Sequence, residues 1–280
     1  MKILLTGSSG FIGSRIVQKL NSSSYDVIKA NLQNGFDILN FKEFKKVENF
    51  DICIHLAANT FVPDSYSNPQ KYFSLNINGL INSLELCRIY NAKMIFPSTY
   101  VYGIPSYLPI DESHPTKGMN PYSESKLLGE KICEVYKKYF DVDTLILRPS
   151  NIYGPNQDER FLIPEILKQA KTGKVVLLDS KPRRDYLYVD DFVECILMIL
   201  NSKEFITGTF NVGYGKSYSV NDIVSVINSF FDDNLIIQFK NIERESEIQD
   251  NVLDISKIKS TIKWSPSTSL YNGIRNIIEG

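Results

Sequence analysis

The opening of the chain constrains its fold more than any other segment. An apolar run of strand length at residues 2–6 ends in Thr6-Gly7-Ser8-Ser9-Gly10-Phe11-Ile12-Gly13, with a glycine at every third position, and residues 11–20 then take up a helical period. Glycines at a strand-to-helix turn permit a tight bend and let a phosphate approach backbone N–H groups at a helix N-terminus. Set after an N-terminal strand, they point to a dinucleotide site rather than to a plain turn with two helix-packing glycines. A second strand at 26–30 follows the helix. Strand, helix and strand in this order close as a right-handed crossover within a parallel sheet.

The alternation continues, with strands expected at 51–56, 93–98 and 144–148 and helices at 41–47, 69–90 and 122–140. The chain therefore reads as α/β, a Rossmann-type doubly wound parallel sheet with its ligand site at the carboxyl ends of the strands. After Gly154-Pro155 the pattern is less regular: short strands near 175–178 and 186–188, helices near 191–200 and 220–231, and a polar C-terminal third. We expect a dinucleotide-binding domain over 1–154 and a smaller C-terminal α/β substrate-binding lobe over 155–280. The lobe is discontinuous, because residues 190–215 return to the first domain and 209–213 form a strand of the large sheet.

Composition narrows the function classes. With 280 residues, 43% hydrophobic and 22% charged, the chain can bury a large core and lacks a disordered composition. Its 31 basic and 32 acidic residues leave a net charge of −1, with no basic surplus for nucleic acid or an anionic membrane. Four scattered cysteines (Cys53, Cys87, Cys133, Cys195) and two histidines (His55, His114) offer neither a metal site nor a disulfide framework. The most apolar stretch, 195–200, is far shorter than the roughly 20 residues that span a bilayer, and the N-terminus turns polar too soon for a secretory signal. A cytoplasmic setting is the expectation.

Pro121-Tyr122-Ser123-Glu124-Ser125-Lys126 opens the helix at 122–140, and the four-residue spacing places Tyr122 and Lys126 on one face. An ammonium beside a phenol favours the phenolate, so Tyr122 could exchange a proton near neutrality. Taken alone, the pair is equally an ordinary tyrosine packed on a lysine stem.

The glycine turn, the serine-bearing Pro97-Ser98-Thr99-Tyr100-Val101-Tyr102-Gly103 and the Tyr-x-x-x-Lys pair occur in that order. In this the chain resembles the extended short-chain dehydrogenase/reductases, the NAD-dependent epimerase/dehydratase family that acts on nucleotide sugars. Further matches are His55-Leu56-Ala57-Ala58, Asn76 in Asn76-Ile77-Asn78-Gly79, Arg148-Pro149-Ser150-Asn151-Ile152-Tyr153-Gly154-Pro155, Arg184-Asp185-Tyr186-Leu187-Tyr188-Val189-Asp190-Asp191 and Trp264-Ser265-Pro266. The resemblance covers nearly the whole chain.

The resemblance implies a nucleoside-diphosphate sugar as substrate and hydride transfer at carbon 4 of the sugar. Ser98 would hydrogen-bond the substrate oxygen, with Thr99 as the neighbouring hydroxyl, Tyr122 would be the acid/base, and Lys126 would hold the nicotinamide ribose while lowering the tyrosine pKa. Cofactor contacts are implied at Gly7, Gly10, Phe11, Ile12, Gly13, Asn31, Asp37, Ile38, Leu56, Ala57, Ala58 and Asn76. Asp37 is equally a turn or cap carboxylate, and His55 reads as structural. Asn151, Arg184 and Arg244 would contact the sugar nucleotide, the arginines clamping its diphosphate; their alternatives are ion pairs of Arg184 with Asp185 and of Arg244 with Glu245 or Glu247. In the family, helices equivalent to 69–90 and 122–140 form a dimer interface, which implies a homodimer.

Departures from the family pattern sharpen the reaction. Relatives with 4,6-dehydratase activity carry Asp-Glu after the serine or threonine, whereas this chain has Thr99-Tyr100, and eliminating water needs that additional acid and base. At the end of the second strand, Val27-Ile28-Lys29-Ala30-Asn31-Leu32 lacks the carboxylate that would repel a 2′-phosphate, so NADP is expected as readily as NAD. The short connection from Ala30 to Asp37 and the compact length lean toward a 4-keto-6-deoxy-sugar reductase. The alternative is a 4-epimerase, UDP-glucose 4-epimerase-like, which uses the same Ser98, Tyr122 and Lys126. A catalytically silent dinucleotide-binding sensor is the contrasting class; it would be marked by loss of the tyrosine or the lysine, and both are present.

Overall fold

The structure is a computed structural model that describes residues 1–21, 25–242 and 247–280. It divides into two compact units. The first comprises Met1–Gly103, Pro115–Arg148 and Ile199–Phe210; the second comprises Ile104–His114, Pro149–Met198 and Asn211–Gly280. Among the described residues, no helix is long and apolar enough to cross a membrane.

The chain enters the first unit with β1 (Lys2–Thr6), α1 (Phe11–Leu20), β2 (Asp26–Ala30), α2 (Phe41–Phe44), β3 (Ile52–His55), α3 (Val62–Ser67) and α4 (Pro69–Phe73). It continues with α5 (Gly79–Tyr90), β4 (Lys93–Pro97), α6 (Pro121–Phe140) and β5 (Thr144–Pro149). Then come β6 (Asn151–Tyr153), α7 (Leu162–Ala170), β7 (Lys174–Leu177), β8 (Arg183–Tyr188), α8 (Val189–Leu200) and β9 (Gly208–Val212). The last elements are β10 (Ser217–Ser219), α9 (Val220–Asn228), β11 (Ile236–Phe239), α10 (Ser256–Ile262) and α11 (Leu270–Glu279).

A six-stranded sheet runs in the order β2-β1-β3-β4-β5-β9, with parallel pairing from β2 through β5. This is the expected Rossmann-type architecture, and β9 returns beside β5 as the strand anticipated at 209–213. Strands β3 and β5 are buried along their whole length, as a parallel sheet covered on both faces requires. Leu4, Cys53, Met94, Phe96 and Ile146 from the strands meet Leu80, Leu84 and Cys87 of α5 and Cys133 of α6 in one core.

Two helices differ from the expectation. The one anticipated at 41–47 is the single turn α2. The one at 69–90 starts as α4, passes through a π-helical turn at Ser74–Asn78 and continues as α5. Such turns recur at functional sites, and this one holds Asn76. Helix α6 starts at Pro121, the first position where a missing N–H does no harm. Asn120 caps it, its Oδ1 accepting from Ser123 N at 2.8 Å while Asn120 N donates to Ser123 Oγ at 3.2 Å.

In the second unit β8 lies between β10 and β6, and β11 pairs with β7 in parallel. Helices α7, α9 and α11 pack Ile163, Ile166, Ile223, Ile227 and Ile274 into a separate core with Tyr153 and Tyr188. Helices α7, α10 and α11 and strands β6, β10 and β11 were not anticipated. For α7 the signal was present, since Ile163, Ile166, Leu167 and Ala170 follow helical spacing.

Candidate active site

The glycine turn is shaped by collision. Gly7 has φ +66°, and a Cβ there would sit 2.7 Å from the backbone nitrogen of Ala57; a Cβ on Gly13 would strike the Gly7 carbonyl oxygen. The turn is therefore pressed onto the segment after β3 that carries Leu56, Ala57 and Ala58, all half-buried. Gly10 begins α1 without a side-chain cap, so the first-turn N–H groups around Phe11 and Ile12 are not covered by a capping side chain. Thr6 Oγ1 accepts from Ala57 N at 3.2 Å and lies 3.1 Å from His55 Nδ1. Burial pushes the His55 imidazole down to about 3, so it is neutral at physiological pH and holds the strand end together, as the sequence reading expected.

Asn31 reaches this turn, its Nδ2 donating to Ser8 Oγ at 2.7 Å and its Oδ1 accepting from Asn34 N at 3.0 Å. Lys29 is exposed beside it. Asp37 Oδ1 accepts from Leu39 N at 2.9 Å, the turn-carboxylate arrangement weighed above. Ile38 is 5% exposed in the core, and its carbonyl is taken by Asn82 Nδ2 at 2.7 Å. Its side chain is therefore core material, which does not support the cofactor contact expected of it. Asn76 is buried and engaged: Oδ1 accepts from Asn59 N at 2.9 Å, and Nδ2 donates to Asn59 O at 3.1 Å and Ser125 Oγ at 2.9 Å. This amide ties the loop after β3 to α6, because the π-helical turn aims it inward.

On α6, Tyr122 is half-buried, with the Thr99 side chain near enough to act on its phenol. Burial raises the phenol, and Thr99 acts in the opposite direction. The expected lowering by Lys126 is not what the chain provides. Lys126 Nζ instead lies over the Phe96 ring, 4.4 Å from its centroid, and burial takes its ammonium down to about 8. Ser98 completes this group. Its backbone nitrogen is held by Leu147 O at 2.7 Å, yet its buried Oγ has no hydrogen-bond partner among the described residues. Buried hydroxyls are nearly always paired, so this one marks a place suited to an incoming oxygen.

One element of the site went unrecognised in the sequence. Arg148 of β5 donates from Nε and Nη2 to both carboxylate oxygens of Glu130 (3.1 and 2.6 Å) and from Nη1 to the Tyr102 hydroxyl at 3.0 Å. The available signal was Glu130, four residues after Lys126 and thus on the same helix face.

In the second unit, Arg184 does not pair with Asp185. Its guanidinium contacts Glu247, the Ile248 carbonyl at 2.5 Å and the Arg183 carbonyl at 2.8 Å. Asp185 is fully buried and accepts from Tyr214 N at 2.8 Å and Gly215 N at 3.0 Å. Adjacent residues of a strand face opposite sides, which forbids the local pair. Asn151 is exposed on β6 and donates from Nδ2 to Asp185 O at 3.2 Å. Arg244 lies outside the described residues.

Residues 3–213 match the sequence profile of the NAD dependent epimerase/dehydratase family. The chain belongs to this family. It is 35% identical to a putative UDP-glucose 4-epimerase from Methanocaldococcus jannaschii, over 99% of this chain and 97% of that one. Among solved structures, it superposes with TM-score 0.90 on the UDP-glucuronic acid 4-epimerase from Bacillus cereus in complex with UDP-glucuronic acid and NAD, at 29% identity over 100% of this chain and 98% of that one. It also superposes with TM-score 0.89 on the UDP-glucose 4-epimerase from Thermotoga maritima with UDP-glucose, at 27% identity and covering 100% and 98% of the two chains. This epimerase/dehydratase family member is thus an enzyme with a nicotinamide dinucleotide as cofactor. The first unit suits that cofactor, because the cradle at Gly7, Gly10 and Gly13 is one that side chains would fill.

Proposed function

We propose that the chain is an NAD-dependent 4-epimerase of UDP-sugars. The observation that carries the proposal is the buried Ser98 hydroxyl, unpartnered among the described residues and next in the chain to Thr99, whose side chain lies near Tyr122 on the helix face that also carries Lys126. Relatives named as UDP-sugar 4-epimerases over almost the full length of both chains support this over the reductase to which the sequence leaned.

When bound, the dinucleotide would supply the acceptor and donor of a hydride at carbon 4 of the sugar. The rest falls to the chain. Gly7, Gly10 and Gly13 admit the pyrophosphate to the start of α1, and Lys126 holds the nicotinamide ribose. Ser98 Oγ hydrogen-bonds the sugar hydroxyl at carbon 4, and Tyr122 takes that hydroxyl's proton and later restores it. Thr99-Tyr100 in place of an acid pair argues against elimination of water. Asn151, Arg184 and Arg244 serve the sugar diphosphate, with Arg184 exchanging Glu247 for phosphate oxygens. A homodimer through α5 and α6 is proposed as well, supported by the exposed Leu128, Val135 and Tyr139 along α6, and the cytoplasm is its proposed setting.

The second reading, a 4-keto-6-deoxy-sugar reductase using NADPH, is favoured by Lys29 and Asn31 where a 2′-phosphate-repelling carboxylate would stand. One experiment separates them. The protein is incubated with UDP-glucose, UDP-galactose and UDP-glucuronic acid, and separately with nucleoside-diphosphate 4-keto-6-deoxy sugars and NADPH. Interconversion of 4-epimers without net change at 340 nm is the expected result. Net NADPH oxidation would replace the proposal with the reductase, and cofactor binding with no turnover would replace it with the silent sensor.

A further inference from the structure

Arg148 and Glu130 are an ion pair almost removed from water, with side chains 9% and 4% exposed. Tyr102, the third member, is 2% exposed, and its ring centroid lies 4.9 Å from the Arg148 guanidinium carbon. A buried ion pair is weak as a source of stability, since well-packed apolar residues fill the same volume at least as favourably. What it supplies is direction, because a planar guanidinium fixes the angles of its partners. Here three directions are fixed at once. One runs to α6 at Glu130, one to the loop after β4 at Tyr102, and one is the arginine's own strand, β5.

Those elements carry the proposed chemistry. Tyr122, Lys126 and Glu130 follow one another at four-residue spacing on α6, and Ser98 and Thr99 immediately precede the loop that ends in Tyr102 and Gly103. Tyr100 donates to Gly103 O at 2.5 Å, Lys117 N donates to Val101 O at 2.8 Å, and the Tyr100 and Tyr102 rings meet edge to face at 5.7 Å.

We propose that Tyr102, Arg148 and Glu130 form a positioning brace that sets the separation between the Ser98–Thr99 hydroxyls and the Tyr122–Lys126 face of α6. The brace deepens the function proposed above and rests on Tyr122 being the acid/base. None of its three members touches the reacting atoms in this assignment. Glu130 has a second effect, since its carboxylate supports the Lys126 ammonium from one turn away. The other groups facing Lys126 are Cys133 on α6, the Phe96 ring on β4 and the neutral His55 on β3.

The test compares Tyr102→Phe, Arg148→Lys and Glu130→Gln with the wild-type protein. Tyr102→Phe removes one hydroxyl and keeps the ring. It is expected to lower kcat about tenfold while KM and NAD affinity stay at their wild-type values, and to lower the melting temperature because the buried Arg148 Nη1 loses its acceptor. Amides in 98–103 should exchange hydrogen faster by a similar factor. Arg148→Lys, which retains charge but not the fork, should reproduce both changes. Glu130→Gln should move the alkaline limb of the kcat profile to lower pH, a shift that lost packing alone does not cause. Wild-type kcat and unchanged exchange in Tyr102→Phe would overturn the brace. If the wild-type protein turns over no nucleotide sugar, the functional reading fails, and exchange at 98–103 decides the brace alone: acceleration there beyond that in the rest of the first unit retains it, and no such difference removes it.

Discussion

The two units hold their expected functional residues in opposite states. In the first unit, strand ends and one capped helix hold the side chains, and the reactive hydroxyls are ready: among the described residues Ser98 Oγ has no partner, and Tyr122 has only the Thr99 side chain near its phenol. In the second unit, the charged residue expected to grip an anion is already gripped, with Arg184 held by Glu247 and by two carbonyls. Rigid elements can keep a polar group unsatisfied because the surrounding packing prevents its collapse. A long side chain beside a loop instead finds whatever acid is near, and a ligand must displace that acid.

The largest expected effect tests the readiness of the first unit. Tyr122→Phe should reduce turnover about a thousandfold or more and leave dinucleotide affinity unchanged, as read by NADH fluorescence titration. Full activity in this variant would remove the acid/base assignment and with it the contrast between the units.

Next in size is the strain of keeping Lys126 buried. Its folded-state pKa, about 8, lies below its ordinary 10.5, so the destabilisation is complete below pH 8 and is relieved as pH rises from 8 to 10.5. Lys126→Met should therefore raise stability at pH 7 by up to about 3 kcal/mol in urea unfolding while abolishing turnover, and the gain should shrink above pH 8. A destabilised variant at pH 7 would mean that the Phe96 platform outweighs the desolvation.

The second unit is tested by a pair of opposite sign. Arg184→Ala should raise KM for the nucleotide sugar by about 10- to 100-fold with kcat nearly constant, whereas Glu247→Gln, which releases the arginine, should lower KM. If both raise it, Glu247 serves the site directly and the unit is not waiting for an exchange. The smallest effect concerns the cofactor. Lys29→Ala should weaken NADPH by about two- to fivefold and leave NADH unchanged, since Lys29 is exposed and its charge is screened. Equal effects on both dinucleotides would remove the 2′-phosphate argument.

Much of the first unit was legible because its signals are local. The glycine turn is readable since Gly7 and Gly13 are required by contacts of the turn with itself and with the strand beside it. Helix α6 announced itself through Pro121 and the Tyr122–Lys126 spacing, and the structure added the Asn120 cap. Asn76 was noticed, but its engagement with Asn59 and Ser125 was not, because 17 and 49 residues separate those partners from it. Most of the second unit escaped notice for a related reason: β6 and β11 are three and four residues long, and their pairing partners lie far along the chain.

The sequence by itself determined the parallel sheet, the dinucleotide turn, the tyrosine and lysine on one helix face and the family. The first three depend on periodicity or on spacing within a few residues, which the order of residues carries directly, and the family on the resemblance of its motifs taken in order. The tertiary structure alone decided the partners of charge and hydrogen. It gave Arg184 to Glu247, 63 residues away, rather than to Asp185, because neighbours on a strand face apart. It placed Lys126 on Phe96 and not in service of Tyr122, and it joined Tyr102, Arg148 and Glu130 across a strand, a helix and a loop. Burial strengthens such long-range choices, since a charged or polar group withdrawn from water must take the partner that the packing brings to it.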